Sequence, residues 1–333
     1  MEVWAAREDP DRWAALDGAA LVFSVRNSRR QPSRFDGDLS ELADPFAEEY
    51  GPQKGWSGSR LETYRLCPYS FFVRYVLGLE PREEPREGLD GRQLGNIYHR
   101  ILEMLYKEAA DASDTEALLA ALDQVAGRIL DEAPRREGFR VTAWWEHTRG
   151  EITDHVRDSL RALAELGGEY VPYRFEAPFG LHGHPPLVIR EGEDRLRLRG
   201  FIDRVDRDAQ GWLRIIDYKA GGPWGFDKKA VVEGKKLQLP LYGLAARDAL
   251  GLGEPAEGFY WHVQQAEASG FKMSTFDGGP NAAMELGVLK GWEAVHGVRA
   301  ARFAPQPPPL PDGCPSYCPA VAFCWHYRPG YRR

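Results

Sequence analysis

The chain has 333 residues, enough for one large core or two modest ones, and its 43 Lys and Arg against 50 Asp and Glu give a formal net charge of −7. This balance excludes binding of nucleic acid through a general positive field, so a DNA path must be a local basic strip. The sequence has no apolar run of about 18 or more residues, no pattern of a signal peptide and no phosphate-binding G-x-x-x-x-G-K-[S/T] loop. We therefore expect a cytoplasmic protein with no membrane partner and no motor of its own.

The predicted elements begin with an N-terminal extension, residues 1–55, which is polar and interrupted by Pro and Gly. After it, the spacing of apolar residues predicts helices, then a sheet, then further helices. The helix Thr115–Glu132 is expected to end before Pro134. The predicted segments are, in chain order, a helix from Ser57, a helical part at about 94–168, a sheet at about 173–265, helices at Lys236–Leu250 and Gly279–Arg299, and a cysteine-containing tail.

The most informative segment is Arg195–Gly221, which we interpret as one β-hairpin that carries Asp203, Asp217 and Lys219. Side chains alternate along a strand, so Asp217 and Lys219 point to the same face, and the returning strand brings Asp203 within about two residue pairs of Asp217. Carboxylates on one buried face repel each other unless a cation lies between them, and oxygen ligands suit Mg²⁺ or Mn²⁺. Acid-rich hairpins are also common without a metal. The apolar run Leu213–Ile216 favours the metal site, because an unpaired carboxylate at the end of a core strand is costly.

The four cysteines form a second pattern, with Cys67 near the front and Cys314, Cys318 and Cys324 in a C-x3-C-x5-C tail. Disulfides are a poor explanation in a cytoplasmic protein. A metal or iron–sulfur site that ties the two ends of the chain together is favoured over scattered core thiols. The spacing alone does not separate Zn²⁺ from a [4Fe–4S] cluster.

A local basic strip has many candidates, although each is more often a solvated surface charge when taken alone. They are Arg195, Arg197, Arg199, Arg204 and Arg214 in the hairpin, Lys228, Lys229, Lys235 and Lys236 after it, and Arg328, Arg332 and Arg333 at the end.

Five blocks of the chain can be read together: Ser57–Phe72 (SGSRLETYRLCPYSFF), Gly95–His99 (GNIYH), Gly200–Asp206 (GFIDRVD), Ile216–Gly221 (IDYKAG) and Gln238–Tyr242 (QLPLY). They resemble, in family order over about 57–324, the RecB-like branch of the PD-(D/E)XK nuclease superfamily. The similarity is strongest to the AddB-type C-terminal nuclease domain, which has an iron–sulfur cluster. One departure is the first gap of the cysteine tail, which is three residues here and more usually two.

The resemblance implies an α/β fold with a restriction-endonuclease-like core, in which helices flank a mixed central β-sheet. It implies a helical insertion and a C-terminal cysteine clasp within one nuclease domain, residues 56–333. The clasp would be a [4Fe–4S] cluster held by Cys67, Cys314, Cys318 and Cys324.

The resemblance also implies roles for single residues. His99, Asp203, Asp217 and the backbone carbonyl of Tyr218 would bind the metal ion. Lys219 would orient the attacking water and stabilise the phosphate in the transition state. Four further residues have supporting roles: Asp206 pairs with an arginine or caps a turn, Glu176 supports the metal ligands, and Gln238 and Tyr242 contact Lys219 or the DNA backbone.

The function predicted on this basis is a Mg²⁺- or Mn²⁺-dependent deoxyribonuclease, in particular an exonuclease on single-stranded DNA or DNA ends, in repair, recombination or defence. The acidic charge and the missing motor favour a helicase partner that delivers DNA. One alternative is a non-catalytic scaffold that binds DNA ends or a helicase. Another is a nuclease of CRISPR adaptation or of a defence complex.

Overall fold

The computed structural model describes residues 9–27, 33–80, 88–166 and 169–330. In this part of the chain no helix is long and apolar enough to cross a membrane. The helices are α1 (Pro10–Asn27), α2 (Ala43–Glu49), α3 (Gly58–Leu66), α4 (Pro68–Phe71), α5 (Gly91–Glu108), α6 (Thr115–Glu137), α7 (Trp145–Glu165), α8 (Lys228–Val232), α9 (Gln238–Leu244) and α10 (Gly279–Arg299). The strands are β1 (Gly55–Trp56), β2 (Val171–Phe179), β3 (Leu187–Glu191), β4 (Asp194–Leu198), β5 (Gly200–Arg207), β6 (Trp212–Lys219), β7 (Glu254–His262) and β8 (Glu267–Lys272).

The chain forms two compact units. The first takes its residues from Met1–Gly51, Thr63–Pro81 and Ala294–Arg333, and it contains all four cysteines. The second takes its residues from Pro52–Glu62 and Arg82–Glu293, and it contains both β-sheets. Its start at Pro52 lies near the domain boundary that the sequence predicts at residue 55 or 56, and the single nuclease domain 56–333 stays a prediction.

The first unit has an aromatic core around Phe303. The ring of Phe71 stacks on Phe303 with centroids 6.3 Å apart, and Phe46 of α2 meets the same ring at 5.1 Å. The guanidinium of Arg299 donates a hydrogen bond to the Tyr50 carbonyl (2.8 Å). The described residues just before Gly51 are therefore packed against the C-terminal part of the same unit.

The second unit is built on a five-stranded mixed sheet of order β2-β5-β6-β7-β8. Strands β6 and β7 are parallel, whereas β2–β5, β5–β6 and β7–β8 are antiparallel. Helices α5, α6 and α7 pack on one face of the sheet, where Phe259 and Trp261 of β7 join their core. Helix α9 lies on the other face, because the Leu239 N–H contacts the hydroxyl of Tyr260 (3.4 Å), whose side chain alternates with those two.

The predicted hairpin Arg195–Gly221 is wrong in its first half. Strand β4 belongs to a separate three-stranded sheet, β1-β4-β3, and only β5 and β6 form the hairpin. The Arg199 N–H donates to a β1 carbonyl (2.8 Å), so β4 stays with β1 up to its end. At Gly200 a side chain would come within 3.2 Å of the Phe179 ring, and the glycine lets β5 begin close against β2.

Helix α6 runs past its predicted end at Glu132 and includes Pro134. The last turns stay helical because Leu130 and Ala133 are buried in the helical core. Gly138, with φ +75°, ends the helix in the left-handed conformation that glycine tolerates best. This extra turn carries Arg136 and Glu137 to the edge of the cleft described below.

Candidate active site

Three acidic residues are aligned across neighbouring strands of the central sheet. The β5–β6 register pairs Arg204 with Ile216, so the adjacent Asp203 and Asp217 lie opposite each other. The β2–β5 register likewise places Glu176 opposite Asp203. Asp203 is 8% exposed and Asp217 is 2% exposed. The predicted proximity of Asp203 and Asp217 is confirmed, and Glu176 extends the row.

His99 reaches this row from helix α5. The helix begins with a capping box, in which Asp90 accepts a hydrogen bond from the Gln93 N–H (2.7 Å) and Gln93 accepts one from the Asp90 N–H (2.8 Å). Its apolar face, which includes Ile97 and Ile101, is buried in the helical core and fixes the rotation of the helix. His99 Nε2 donates to the Tyr218 carbonyl (3.1 Å).

The other ring nitrogen of His99 faces two carboxylates. Nδ1 lies 3.4 Å from Glu176 Oε1 and 3.6 Å from Asp203 Oδ1. One ligand atom each from His99, Glu176 and Asp203 lie within 4.8 Å of one another, a spacing that can hold a metal ion. Two carboxylates and an imidazole suit Mn²⁺ well and Mg²⁺ through their oxygens. The sequence ranks Glu176 only as a supporting group, whereas the structure places it among the donors.

Crowding of these groups changes their affinity for protons. Burial raises the pKa of Asp203 to about 7, and the charge of Asp217 adds to the rise while His99 opposes it. Burial alone would lower the pKa of His99, but the carboxylates of Asp203 and Glu176 outweigh it and raise the pKa to about 9. The site therefore holds protons where a divalent cation would satisfy the same negative charge, and its residues fit a metal ion.

Lys219 lies at the end of β6 beside this donor group. Its ammonium contacts the Asp217 carboxylate, donates to Gln238 Oε1 (3.1 Å) and lies 5.5 Å from the centre of the Tyr260 ring. Burial alone would lower the pKa of Lys219, but Asp217 and Asp203 outweigh it and the pKa is raised. Lys219 is therefore a cation at neutral pH and acts by charge and hydrogen bonding.

Helix α9 holds the partner of Lys219. Gln238 contacts the lysine as the sequence predicts, and its Nε2 donates to the Tyr242 hydroxyl (3.3 Å). The start of the helix is anchored by Glu62, whose Oε1 accepts hydrogen bonds from the Leu237 N–H (2.6 Å) and the Gln238 N–H (2.9 Å). Sequence reasoning does not identify Glu62, since its contacts join residues more than 170 positions apart. Contact of Gln238 or Tyr242 with DNA stays a prediction.

Asp206 has the structural role that the sequence predicts. Its carboxylate accepts two hydrogen bonds from Arg204, at 2.5 and 3.1 Å, and both side chains are buried. The same guanidinium donates to the Tyr106 hydroxyl of α5. This pair fixes β5 to the helix that carries His99.

The donor group opens into a cleft of about 640 Å³. Helix α5 forms one wall, the end of α6 adds Arg136 and Glu137, and the turn after β6 adds Ala220 and Gly221. A substrate in this cleft would meet His99, Glu176 and Lys219 together. The geometry suits a phosphodiester that is held between a metal ion and a lysine.

A comparison with protein families matches residues 55–325 to the PD-(D/E)XK nuclease superfamily. The matched range includes the cleft, the three aligned acids and all four cysteines. The chain belongs to the PD-(D/E)XK nuclease superfamily. Nucleases of this superfamily use divalent metal ions. The predicted fold class, a mixed sheet flanked by helices, is confirmed.

This PD-(D/E)XK chain is also similar to proteins named as the AddB-type subunit of an ATP-dependent helicase/deoxyribonuclease, so the predicted resemblance to AddB-type domains is confirmed. It is 35% identical over 215 residues to the one from Moorella thermoacetica, which covers 60% of this chain and 18% of the relative. It is 31% identical over 267 residues to that of Symbiobacterium thermophilum, covering 74% and 22%. For Staphylococcus haemolyticus the identity is 29% over 266 residues, covering 71% and 22%. The chain thus spans 18–22% of the length of these three relatives.

The four cysteines of this superfamily member come together in the first unit. Cys67, Cys314, Cys318 and Cys324 are free thiols and line one small cavity. Burial raises the pKa of Cys318 and of Cys324. Each sulfur accepts a backbone hydrogen bond, from Gln306, Arg328, Ala320 and His326 respectively. The longer gap after Cys314 therefore does not remove this cysteine from the group.

Several predicted basic-strip residues are engaged elsewhere. Arg204 is buried with Asp206, Lys228 donates to Asp277 (2.6 Å), and Lys236 lies over the Phe226 ring (4.0 Å). Arg332 and Arg333 lie outside the described residues. The Lys and Arg residues that line the cleft are instead Arg92, Arg100, Arg136 and Lys219.

Proposed function

We propose that this chain is a deoxyribonuclease that hydrolyses phosphodiester bonds with a bound Mg²⁺ or Mn²⁺. The observation that carries the proposal is the convergence of His99, Glu176 and Asp203 on one point beside Lys219, in an open cleft. Asp217 and the carbonyl of Tyr218 complete the proposed ligand set, since Asp217 adjoins Asp203 and the carbonyl already faces His99.

The protein side chains divide the work between charge and position. The bound metal ion would polarise the scissile phosphate and lower the pKa of the attacking water. Lys219 keeps its proton, so it donates to a phosphate oxygen or to the attacking water and offsets negative charge in the transition state. Gln238 holds the ammonium in place through its Oε1. The substrate-binding roles proposed for Gln238 and Tyr242 add to this positioning.

The test is digestion of DNA labelled at the 5′ or 3′ end, single-stranded and duplex, with Mg²⁺ or Mn²⁺. We expect Asp217→Asn and Lys219→Met to lose cleavage, while the surface variant Asp154→Asn keeps it. The pattern of labelled products separates an exonuclease on single strands or ends, which we propose, from an endonuclease. Wild-type protein that binds DNA but leaves it intact would support the non-catalytic scaffold instead.

For the four cysteines we propose a [4Fe–4S] cluster with a structural role. Within the described residues, no three of their sulfurs form a group within 4.8 Å, a spacing that the His99 group meets. A tetrahedral zinc site, with Zn–S near 2.3 Å, would bring its sulfurs to about 3.8 Å from one another. The wider spacing and the N–H donors to each sulfur favour the larger cluster.

Anaerobically purified protein should then be brown and contain about four iron atoms per chain. Cys324→Ser should lose the colour and the iron and melt at a lower temperature, because the cluster contributes folding free energy. Colourless protein with one zinc atom per chain would refute the cluster and leave the nuclease proposal untouched.

We further propose that the chain works with a helicase. The support is the name of the relatives, which joins a helicase and a deoxyribonuclease, together with the net charge of −7. A helicase would deliver a DNA strand that the chain's overall field does not attract. Co-purification with a helicase protein, followed by loss of ATP-stimulated digestion in Asp217→Asn, tests this partner. Association with proteins of a defence complex would point to the alternative.

A further inference from the structure

One face of helix α5 lines the cleft without any packing role. Arg92, Asn96 and Arg100 recur every four residues, so they form a row along the helix, and Gly95 lies beside them. The opposite face of α5 is buried in the helical core. Arg136 from the end of α6 lines the same cleft. We call Arg92, Gly95, Asn96, Arg100 and Arg136 the α5 wall.

The arginines of the α5 wall are weakly engaged by the protein. Arg100 lies 3.9 Å from Glu103 and Arg136 lies 3.8 Å from Glu137, distances at the long end for ion pairs. Arg92 is exposed and makes no ion pair within the described residues. Exposed pairs of this kind contribute little, so the guanidinium groups are available to a ligand. In a chain of net charge −7, their position beside the donor group marks a local site for anions.

Gly95 gives a second, independent indication of a ligand. A glycine inside a helix is unfavourable relative to alanine, so it needs a reason. Packing does not supply one here, because a Cβ at Gly95 would meet only the Cβ of Ala220, at an ordinary 3.9 Å. The bare backbone faces the cleft, where it allows a ligand to approach the helix more closely than any side chain would.

We propose that the α5 wall is the docking surface for single-stranded DNA, with Arg92, Arg100 and Arg136 on successive phosphates and the strand lying against Gly95. The inference rests on the proposed nuclease function and adds the substrate class and the contacts. A cavity of about 640 Å³ has the size of a small-molecule pocket, which takes roughly one or two nucleotides and is too narrow for a duplex. Arginine is also the side chain best suited to phosphate oxygens.

The first experiment measures the salt dependence of binding. A fluorescent oligo-dT and a duplex hairpin of the same length are titrated with the full chain in EDTA, so that no cleavage occurs. Each phosphate contact to a single strand contributes about 0.7 to the slope of log K against log salt. We expect Arg92→Gln, Arg100→Gln and Arg136→Gln each to reduce the slope by about 0.7, and the triple variant by about 2. Arg161→Gln on α7 removes the same charge outside the cleft and should leave the slope unchanged.

The second experiment separates a binding role of Gly95 from a structural one. Gly95→Ala should raise the melting temperature by about 2 °C, because alanine favours the helix, yet weaken oligo-dT binding. Gly95→Leu should weaken it further. A variant that melts higher and binds normally would overturn the role of Gly95.

The outcomes also separate this proposal from the nuclease function. If wild-type protein cleaves no DNA with Mg²⁺ or Mn²⁺, the nuclease function fails. If it cleaves, but the triple variant matches Arg161→Gln in affinity and slope, only the docking surface is refuted. Tighter binding of the hairpin than of oligo-dT would refute the assignment to a single strand.

Discussion

Binding of a divalent metal ion at the active site should depend strongly on pH, because the ion must replace protons on two of its ligands. His99 holds its proton with a pKa of about 9 and Asp203 with a pKa of about 7. At pH 7, removal of the proton from His99 costs about 2.7 kcal/mol, two units at about 1.36 kcal/mol each. The dissociation constant for Mn²⁺ should therefore fall about 25-fold from pH 7 to 8.5, and about 50-fold from pH 6 to 7, where both groups lose protons.

The same shift has a defined sign for the metal-free protein. The pKa of His99 is raised from 6.5 to about 9, so the folded state binds this proton more tightly than the unfolded state. Its contribution to stability is complete below about pH 6.5 and is lost as the pH rises through about 9. Mn²⁺ should therefore stabilise the protein most at high pH, where it replaces the lost proton.

Electron paramagnetic resonance of free Mn²⁺ gives the dissociation constant between pH 6 and 8.5. His99→Asn should bind Mn²⁺ more weakly and lose most of the pH dependence above pH 7. The exposed His147, changed to glutamine, serves as a matched control and should keep the wild-type profile. A wild-type dissociation constant that changes less than about threefold from pH 7 to 8.5 would refute the reasoning, since it would mean that His99 carries no proton to displace.

Three further variants test the surroundings of the site. Asp206→Ala should lower the free energy of unfolding by about 3–5 kcal/mol, because it leaves Arg204 buried without its partner, and a loss below about 1 kcal/mol in urea denaturation would contradict this. Glu176→Gln should weaken Mn²⁺ binding about 10-fold or more if Glu176 is a donor, so an unchanged affinity would return it to a supporting role. Glu62→Ala should cost about 1 kcal/mol of stability by uncapping α9 and slow cleavage through misplacement of Lys219, whereas an unchanged kcat would show that Lys219 does not depend on this anchor.

The parts of the site that the sequence predicts are those encoded by neighbouring residues. Asp217 and Lys219 share a face because they are two residues apart on one strand, and their ion pair follows from that spacing. The position of Asp203 needs only a short turn and the register of one hairpin. Helix α5 is also local, since its capping box and apolar periodicity lie within 18 residues.

The parts that the sequence does not predict depend on contacts between distant segments. Glu176 becomes a donor only because β2 pairs with β5, and no local signal gives that register. The alternation of Leu196 and Leu198 continues toward β5 and so favours placing β4 in the hairpin, whereas its true partners are β1 and β3. Similarly, Arg136 reaches the cleft only because tertiary packing keeps α6 helical beyond Pro134.

The residue that sequence reasoning ranks too low is also the one with the least favourable backbone. Glu176 has φ of +44°, a conformation that costs a non-glycine residue about 1–3 kcal/mol and persists only where the surrounding structure imposes it. Its neighbours supply that constraint, since Phe175 stacks on Tyr106 of α5 with ring centroids 4.5 Å apart and Ala177 is buried. The strained backbone accompanies a carboxylate held near His99 and Asp203, two groups that already compete for protons. A fold that accepts both costs at one point is organised around a cation there, which is why Glu176 belongs with the metal ligands rather than behind them.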